Sequence, residues 1–130
     1  MEEIYEFLKS CGTFYIATID GDQPRVRPFG ALAIIDGKIC TASNNTKKVY
    51  QQIKANPKVE ISGMAGGKWI RFTAECYEDE RREAKEEMLE KSPGLKSMYS
   101  VDDGIFCVLY FKNVKADICS FTEPTKTVEF

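Results

Sequence analysis

The chain has 130 residues, 43% hydrophobic and 29% charged, with 18 basic against 20 acidic side chains and a formal charge of −2. That composition excludes a disordered chain, is long enough to bury the core of a single domain, and offers no general attraction for nucleic acid or an anionic membrane. No apolar run approaches the roughly 18 to 20 residues that span a bilayer, and the acidic, amphipathic start is unlike a signal peptide, so a cytoplasmic protein is expected.

In chain order, Ile4, Phe7, Leu8 and Cys11 recur at helical spacing and predict an opening amphipathic helix. "TFYIATID" predicts a strand ending at Asp20-Gly21-Asp22. "RVRPFGALAIID" predicts a second, closed by Asp36-Gly37, and "KICTA" a third. Asp-Gly pairs between apolar runs signal hairpins, so these three strands read as an antiparallel meander. Val49, Tyr50 and Ile53 mark one side of a helix that follows Thr46 and stops near Asn56-Pro57. "KVEISGM" and "KWIRFTAECYE" predict strands joined across Ala65-Gly66-Gly67. A charged helix from about Asp79 to Lys91 follows, with Ala84, Met88 and Leu89 as its thin apolar side. "SPGLKSMYS" reads as a loop with a short helical turn, "IFCVLYFKNV" and "KADICSF" as one or two strands, and "TEPTKTVEF" as a tail. About six strands without regular strand–helix alternation argue for a small closed antiparallel barrel over a doubly wound parallel sheet.

The chain contains no histidine. That removes the commonest general base and metal ligand, together with Ser-His and Cys-His nucleophile systems, and leaves difficult chemistry to a cofactor. The five cysteines are scattered without a CxxC pair, which suggests buried thiols rather than a zinc knuckle or disulfide framework.

Two stretches carry candidate chemistry. In "PRVRPFG", Arg25 and Arg27 share a strand face, while Pro28 cannot donate to a ladder and marks an edge, bulge or break. This reads either as solubilising arginines on an exposed edge or as backbone turned toward a ligand, with Gly30 permitting close approach. In "TASNNTKKVYQQI", Lys47 and Lys48 stand where a helix start favours acidic residues. They are either solvated lysines or, with Thr46 as a cap, donors to a bound anion such as phosphate. Trp69, the only tryptophan, is a core or interface aromatic by default.

"PRVRPFG", "CTASNNTKKVYQQIKANPKVEI" and "WIRFTAE", in that order, resemble the pyridoxamine 5′-phosphate oxidase-like family of flavin-binding split-barrel proteins. The resemblance implies a mainly β, six-stranded antiparallel split barrel of Greek-key type with a few short peripheral helices. It implies FMN held between the subunits of a homodimer, with its phosphate beside Thr46, Lys47 and Lys48. Arg25, Val26, Arg27, Pro28 and Phe29 would line the isoalloxazine, and Cys40, Thr41 and Ala42 would pack beside the flavin and ribityl chain. Trp69 matches a position that reaches the flavin across the interface. The short tail differs from the namesake's substrate-binding C-terminal segment, so oxidation of pyridoxamine phosphate itself is not expected. The chain looks more like the small members grouped with nitroimidazole-resistance proteins, without the histidine tied to that activity. Lack of histidine also disfavours haem, while a deazaflavin in place of FMN stays open.

The expected function is an FMN-dependent oxidoreductase passing electrons or hydride between a reduced cofactor and a small molecule, with no side chain assigned as acid or base. A non-catalytic flavin carrier or redox sensor is the alternative, and a module that has lost its cofactor the third reading. No metal, nucleic-acid or membrane partner is expected.

Overall fold

In the computed structural model, which describes residues 1–130, helix α1 (Glu2–Cys11) buries Ile4 and Leu8 and ends at Gly12, whose φ of 73° suits glycine. β1 (Phe14–Asp20) and β2 (Gln23–Phe29) form a hairpin in continuous register from Asp20 opposite Gln23 to Phe14 opposite Phe29. β3 (Ala33–Ile35) and β4 (Lys38–Asn44) form a second hairpin. Its turn residues Asp36 and Gly37 both have positive φ, 52° and 74°, as the tight primed turns require.

There follow α2 (Lys48–Ala55), β5 (Lys58–Ala65), β6 (Lys68–Asp79), α3 (Arg82–Lys91), a 3-10 turn at Pro93–Ser97, β7 (Phe106–Cys119) and β8 (Lys126–Glu129). The eight strands make one antiparallel sheet in the order β2-β1-β5-β6-β7-β4-β3, with β8 paired to β7. No helix is long and apolar enough to cross a membrane.

Three details differ from the sequence-based expectation. "RVRPFGALAIID" is two strands, because the chain leaves extended pairing at Gly30-Ala31-Leu32. The expected meander is therefore broken: β2 ends one side of the sheet, and the β3–β4 hairpin ends the other. The tail is not loose, since Lys126–Glu129 pairs with β7 and Phe130 exchanges two backbone hydrogen bonds with Val114. Splitting one strand and adding β8 raises the count from six to eight.

The long strand β7 makes this topology possible. Its first half pairs with β4 and its second half with β8, while β6 runs alongside both. A register shift between Thr73 and Glu75 and the positive φ of Asn113, 53°, mark where the two long strands bend. Two buried clusters result. The larger joins α1, β1, β4, α2, β5, β6 and β7 around Phe14, Ile39, Phe72 and Leu109. The smaller packs α3 onto the other face of β4 and β7, around Met88, Cys40 and Phe106.

Candidate functional site

At the β2 edge, Arg27 turns inward. Its Nη1 donates to Thr18 Oγ1 at 2.7 Å and to the Ile16 carbonyl at 3.3 Å, and its Nη2 donates to Gln52 Oε1 at 2.7 Å. Thr18 Oγ1 in turn donates to Gln52 Oε1 at 2.6 Å. Thr18 and Gln52 are buried, and losing a partner from such a pair costs about 1–3 kcal/mol. Burial, with Arg25 adding to it, pulls the Arg27 guanidinium below its ordinary pKa. Neutral groups are its only partners, and it forms no ion pair. Beyond β2, the Ala31 carbonyl accepts from Thr41 Oγ1 at 2.7 Å, which ties the segment leaving β2 to β4. At Gly30 an added Cβ would meet only the Gly12 carbonyl at 3.9 Å, so the glycine keeps that wall clear without being required by packing.

At the start of α2, Asn44 Oδ1 accepts from the Thr46 amide at 3.1 Å and from the Thr46 hydroxyl. Thr46 is thus held by the preceding turn and does not cap the helix, contrary to its expected role. Lys47 occupies the N-cap, no side chain caps the helix, and its first turn holds no acid. The amides of Tyr50 and Gln51 fold back on the Lys47 carbonyl. Lys47 and Lys48 diverge, because Lys47 is still extended, with φ −80° and ψ 147°, while Lys48 is the first helical residue. Lys47 faces a cavity of about 340 Å³, whereas Lys48 faces a separate polar hollow with Asp20 and Gln51.

The Lys47 cavity lies where the two core clusters meet. Arg27, Pro28, Phe29, Gly30 and Ala31 form one wall, Ala42 and Val49 the floor, and Leu95, Met98 and Tyr99 the far side. Asn44 Nδ2 donates to the Tyr99 hydroxyl at 2.8 Å, which fixes that far side to the end of β4. Arg27 and Lys47 are its charged residues, and no carboxylate lines it.

The structure thus brings together five of the expected site residues: Arg27, Pro28, Phe29, Ala42 and Lys47. Arg25 instead pairs with Asp20 at 3.1 Å, Val26 points outward, and Thr46 and Lys48 lie off the cavity. Cys40 and Thr41 are buried behind the wall; burial pushes the Cys40 thiol up to about 11, which keeps it protonated and unreactive. Trp69 does not line the cavity but packs on Phe121, ring centroids 4.9 Å apart. Sequence reasoning missed Leu95, Met98 and Tyr99, although their i, i+3, i+4 spacing within "SPGLKSMYS" marks one apolar side of a turn.

A larger hollow of about 570 Å³ lies between α1 and the β8 end. Its lysines are already neutralised, Lys68 by Glu123 at 2.7 Å and Lys126 by Glu3 at 2.6 Å, and Glu6 adds a carboxylate, so it offers no free cation to an anionic ligand.

A family model described as pyridoxamine 5′-phosphate oxidase matches residues 1–106. The crystal structure of a NimC/NimA family protein from Clostridium acetobutylicum is 56% identical and superposes with a TM-score of 0.98 over 100% of this chain and 92% of that one. A Clostridium acetobutylicum protein related to general stress protein 26 of B. subtilis, of the pyridoxinephosphate oxidase family, gives a TM-score of 0.77 at 16% identity, covering 99% and 93% of the two chains. A pyridoxamine 5′-phosphate oxidase-related, FMN binding protein from Nostoc punctiforme gives 0.70 at 11% identity, covering 99% and 93%. The last two likenesses show the fold alone. No curated protein sequence matches the chain.

Proposed function

The chain belongs to the pyridoxamine 5′-phosphate oxidase family, and we propose that it binds FMN in the Lys47 cavity and acts as an oxidoreductase on a small molecule. One observation carries this reading: four separate segments, Arg27–Ala31, Ala42, Lys47 with Val49, and Leu95 with Met98 and Tyr99, meet around one cavity with apolar walls, two cations and no acid. That donor set fits a flat aromatic group with an anionic end. At about 340 Å³ the cavity is at the small end of cofactor sites, as suits a pocket completed by a second subunit.

In this reading Lys47, the α2 start and the Arg27 guanidinium face the phosphate, while the backbone of the Arg27–Ala31 segment and Ala42 lie along the ring. FMN when bound supplies hydride and electron transfer, which none of the side chains here can perform. Arg27 and Lys47 make the cavity electropositive and so favour a reduced, anionic flavin over the neutral oxidised form. With no histidine in the chain and no carboxylate on the walls, the protein contributes no general acid or base at this site. The same lack favours, as a second reading, a flavin carrier or redox sensor.

The sheet is read as the family's split barrel, because one core cluster takes residues from β1 near one end of the strand path and from β4 near the other. A homodimer completes the site. The outer face of β2-β1-β5-β6 exposes Tyr15, Val26 and Met64 and carries the half-buried Trp69, and Pro28 belongs to both this face and the cavity wall. A second copy seated there would wall the cavity and could bring its own Trp69 to it.

The test is spectroscopic. Purified protein, or protein mixed with FMN, is expected to show flavin bands near about 370 and 450 nm and to quench flavin fluorescence on titration. Oxidation of reduced pyridine nucleotide by the loaded protein separates enzyme from carrier. Failure to take up FMN would overturn the assignment.

A further inference from the structure

Resting on that reading of the cavity, we propose that Thr18 and Gln52 are positioning residues that hold Arg27 as a preset, unneutralised cation, so that the cavity selects a phosphorylated, anionic flavin over an uncharged one. Arg27, Thr18 and Gln52 form a closed ring of hydrogen bonds: Arg27 Nη1 to Thr18 Oγ1 at 2.7 Å, Thr18 Oγ1 to Gln52 Oε1 at 2.6 Å, and Arg27 Nη2 to Gln52 Oε1 at 2.7 Å. The guanidinium can only donate, so the Gln52 atom facing it is fixed as the oxygen, and Thr18 can only pass its proton on to that same atom. Each member of the ring fixes the orientation of the next.

The position of the ring matters as much as its closure. Thr18 belongs to β1, Arg27 to β2 and Gln52 to α2, the helix that also carries Lys47 at its start. The Gln52 amide therefore ties Arg27, one cation of the cavity wall, to the helix whose start carries the other, Lys47. Thr18 is 2% and Gln52 8% exposed, whereas Arg27 is half-buried, so the ring is shielded on the protein side and open at the cation. Chemistry makes the choice of glutamine informative. A glutamate at 52 would match the same geometry with stronger, charge-assisted bonds. It would also cancel the Arg27 charge within the protein. A neutral acceptor secures the side chain and leaves its charge to the ligand.

The experiment compares FMN with riboflavin, which lacks the phosphate, by fluorescence titration and thermal melting. The wild type is expected to prefer FMN. Gln52→Glu should fold at least as stably yet lose that preference by about tenfold or more, the scale of one charged hydrogen bond. Thr18→Val should reduce the preference, and Thr18→Ser, which keeps the hydroxyl, should restore it. A merely structural ring would change melting temperature and both affinities in parallel, leaving the ratio untouched; that result in Gln52→Glu or in the Thr18 pair overturns the positioning role. Should Gln52→Glu not fold, the Thr18 pair decides by the same ratio. Wild-type protein that binds neither flavin overturns the cavity assignment itself, a distinct outcome.

Discussion

Lys47 and Lys48 are neighbours in sequence with opposite prospects. Lys47 stands at the N-cap and faces the cavity with Arg27; Lys48, one residue into α2, faces the hollow with Asp20. Lys47→Ala should therefore weaken FMN binding by about tenfold or more, as expected for a charge-assisted contact. Lys48→Ala should change affinity by less than about threefold and slightly raise the melting temperature, because a cation in the first helical turn opposes the dipole by about 0.3–1 kcal/mol. Flavin titration and thermal melts of the two variants check this, and equal losses of affinity would show that both lysines reach the anion. The unusual pair of cations was legible in "TASNNTKKVYQQI", but which one serves was not. That choice depends on the phase of the helix, and Asn44, by holding Thr46 in the preceding turn, starts the helix one residue later than a Thr46 cap would. Arg27 was legible as a strand-face arginine; its buried partners Thr18 and Gln52 were not, since they lie 9 and 25 residues away.

At the scale of elements, the α1 helix, both hairpin turns and the β5–β6 pair followed local signals: helical spacing of apolar residues, Asp-Gly turns and β-branched runs. Pro28 signalled an edge, bulge or break here but not where the strand ends, because apolar residues continue through Gly30-Ala31-Leu32 and the chain departs to let β3 pair with β4. β8 was hidden for a similar reason: a four-residue strand after a proline gains its order from β7, not from its own pattern. The loop that leads into β7 is organised by Asp103. Its Oδ1 accepts the amides of Ile105 and Phe106, both at 2.9 Å, and its Oδ2 accepts that of Ser100 at 3.0 Å. These bonds hold the carboxyl below its ordinary pKa, the Phe106 amide foremost. A folded-state pKa below the unfolded one adds stability that is present above the unfolded value and is lost as pH falls through the folded value. Asp103→Asn keeps an oxygen for two of the amides but sets an N–H group against Ser100. The variant should melt lower than the wild type at pH 7, and the gap should shrink as pH drops below about 4. Thermal melts at pH 7 and pH 3 read this directly; a gap that stays constant with pH would show that the carboxylate charge contributes nothing.

For the whole molecule, the strand order that assembles the cavity is non-local, and period-two patterning identifies faces without saying which strands adjoin. The pattern did contain one consequence at this scale. Ladder partners share a face, so Tyr15, Val26, Met64 and Trp69 project from the same side of β2-β1-β5-β6. They are apolar or aromatic, and Tyr15, Val26 and Met64 are 48%, 66% and 68% exposed; Phe121, against Trp69, is 91% exposed. Glu60, Ser62 and Arg71 share that side, so apolar and polar residues are interspersed on it, the composition of a non-obligate subunit contact rather than of a core. The opposite face of the same strands already packs in the core, so no element of this chain remains to cover it. In the homodimer proposed above, a second copy would cover it symmetrically, with Val26 and Met64 buried on both sides. Light scattering after size exclusion should then give twice the 14.7 kDa chain mass. The double substitution Val26→Asp, Met64→Glu buries charge in that contact and should yield monomer without unfolding the chain, since both side chains are exposed within it. Because Pro28 lies on both this face and the cavity wall, the monomer should also bind FMN more weakly although every residue of its own cavity is intact. A monomeric wild type would refute the dimer. A dimer that survives the double substitution would place the interface on another face, and a monomer with full FMN affinity would show that one chain alone completes the site.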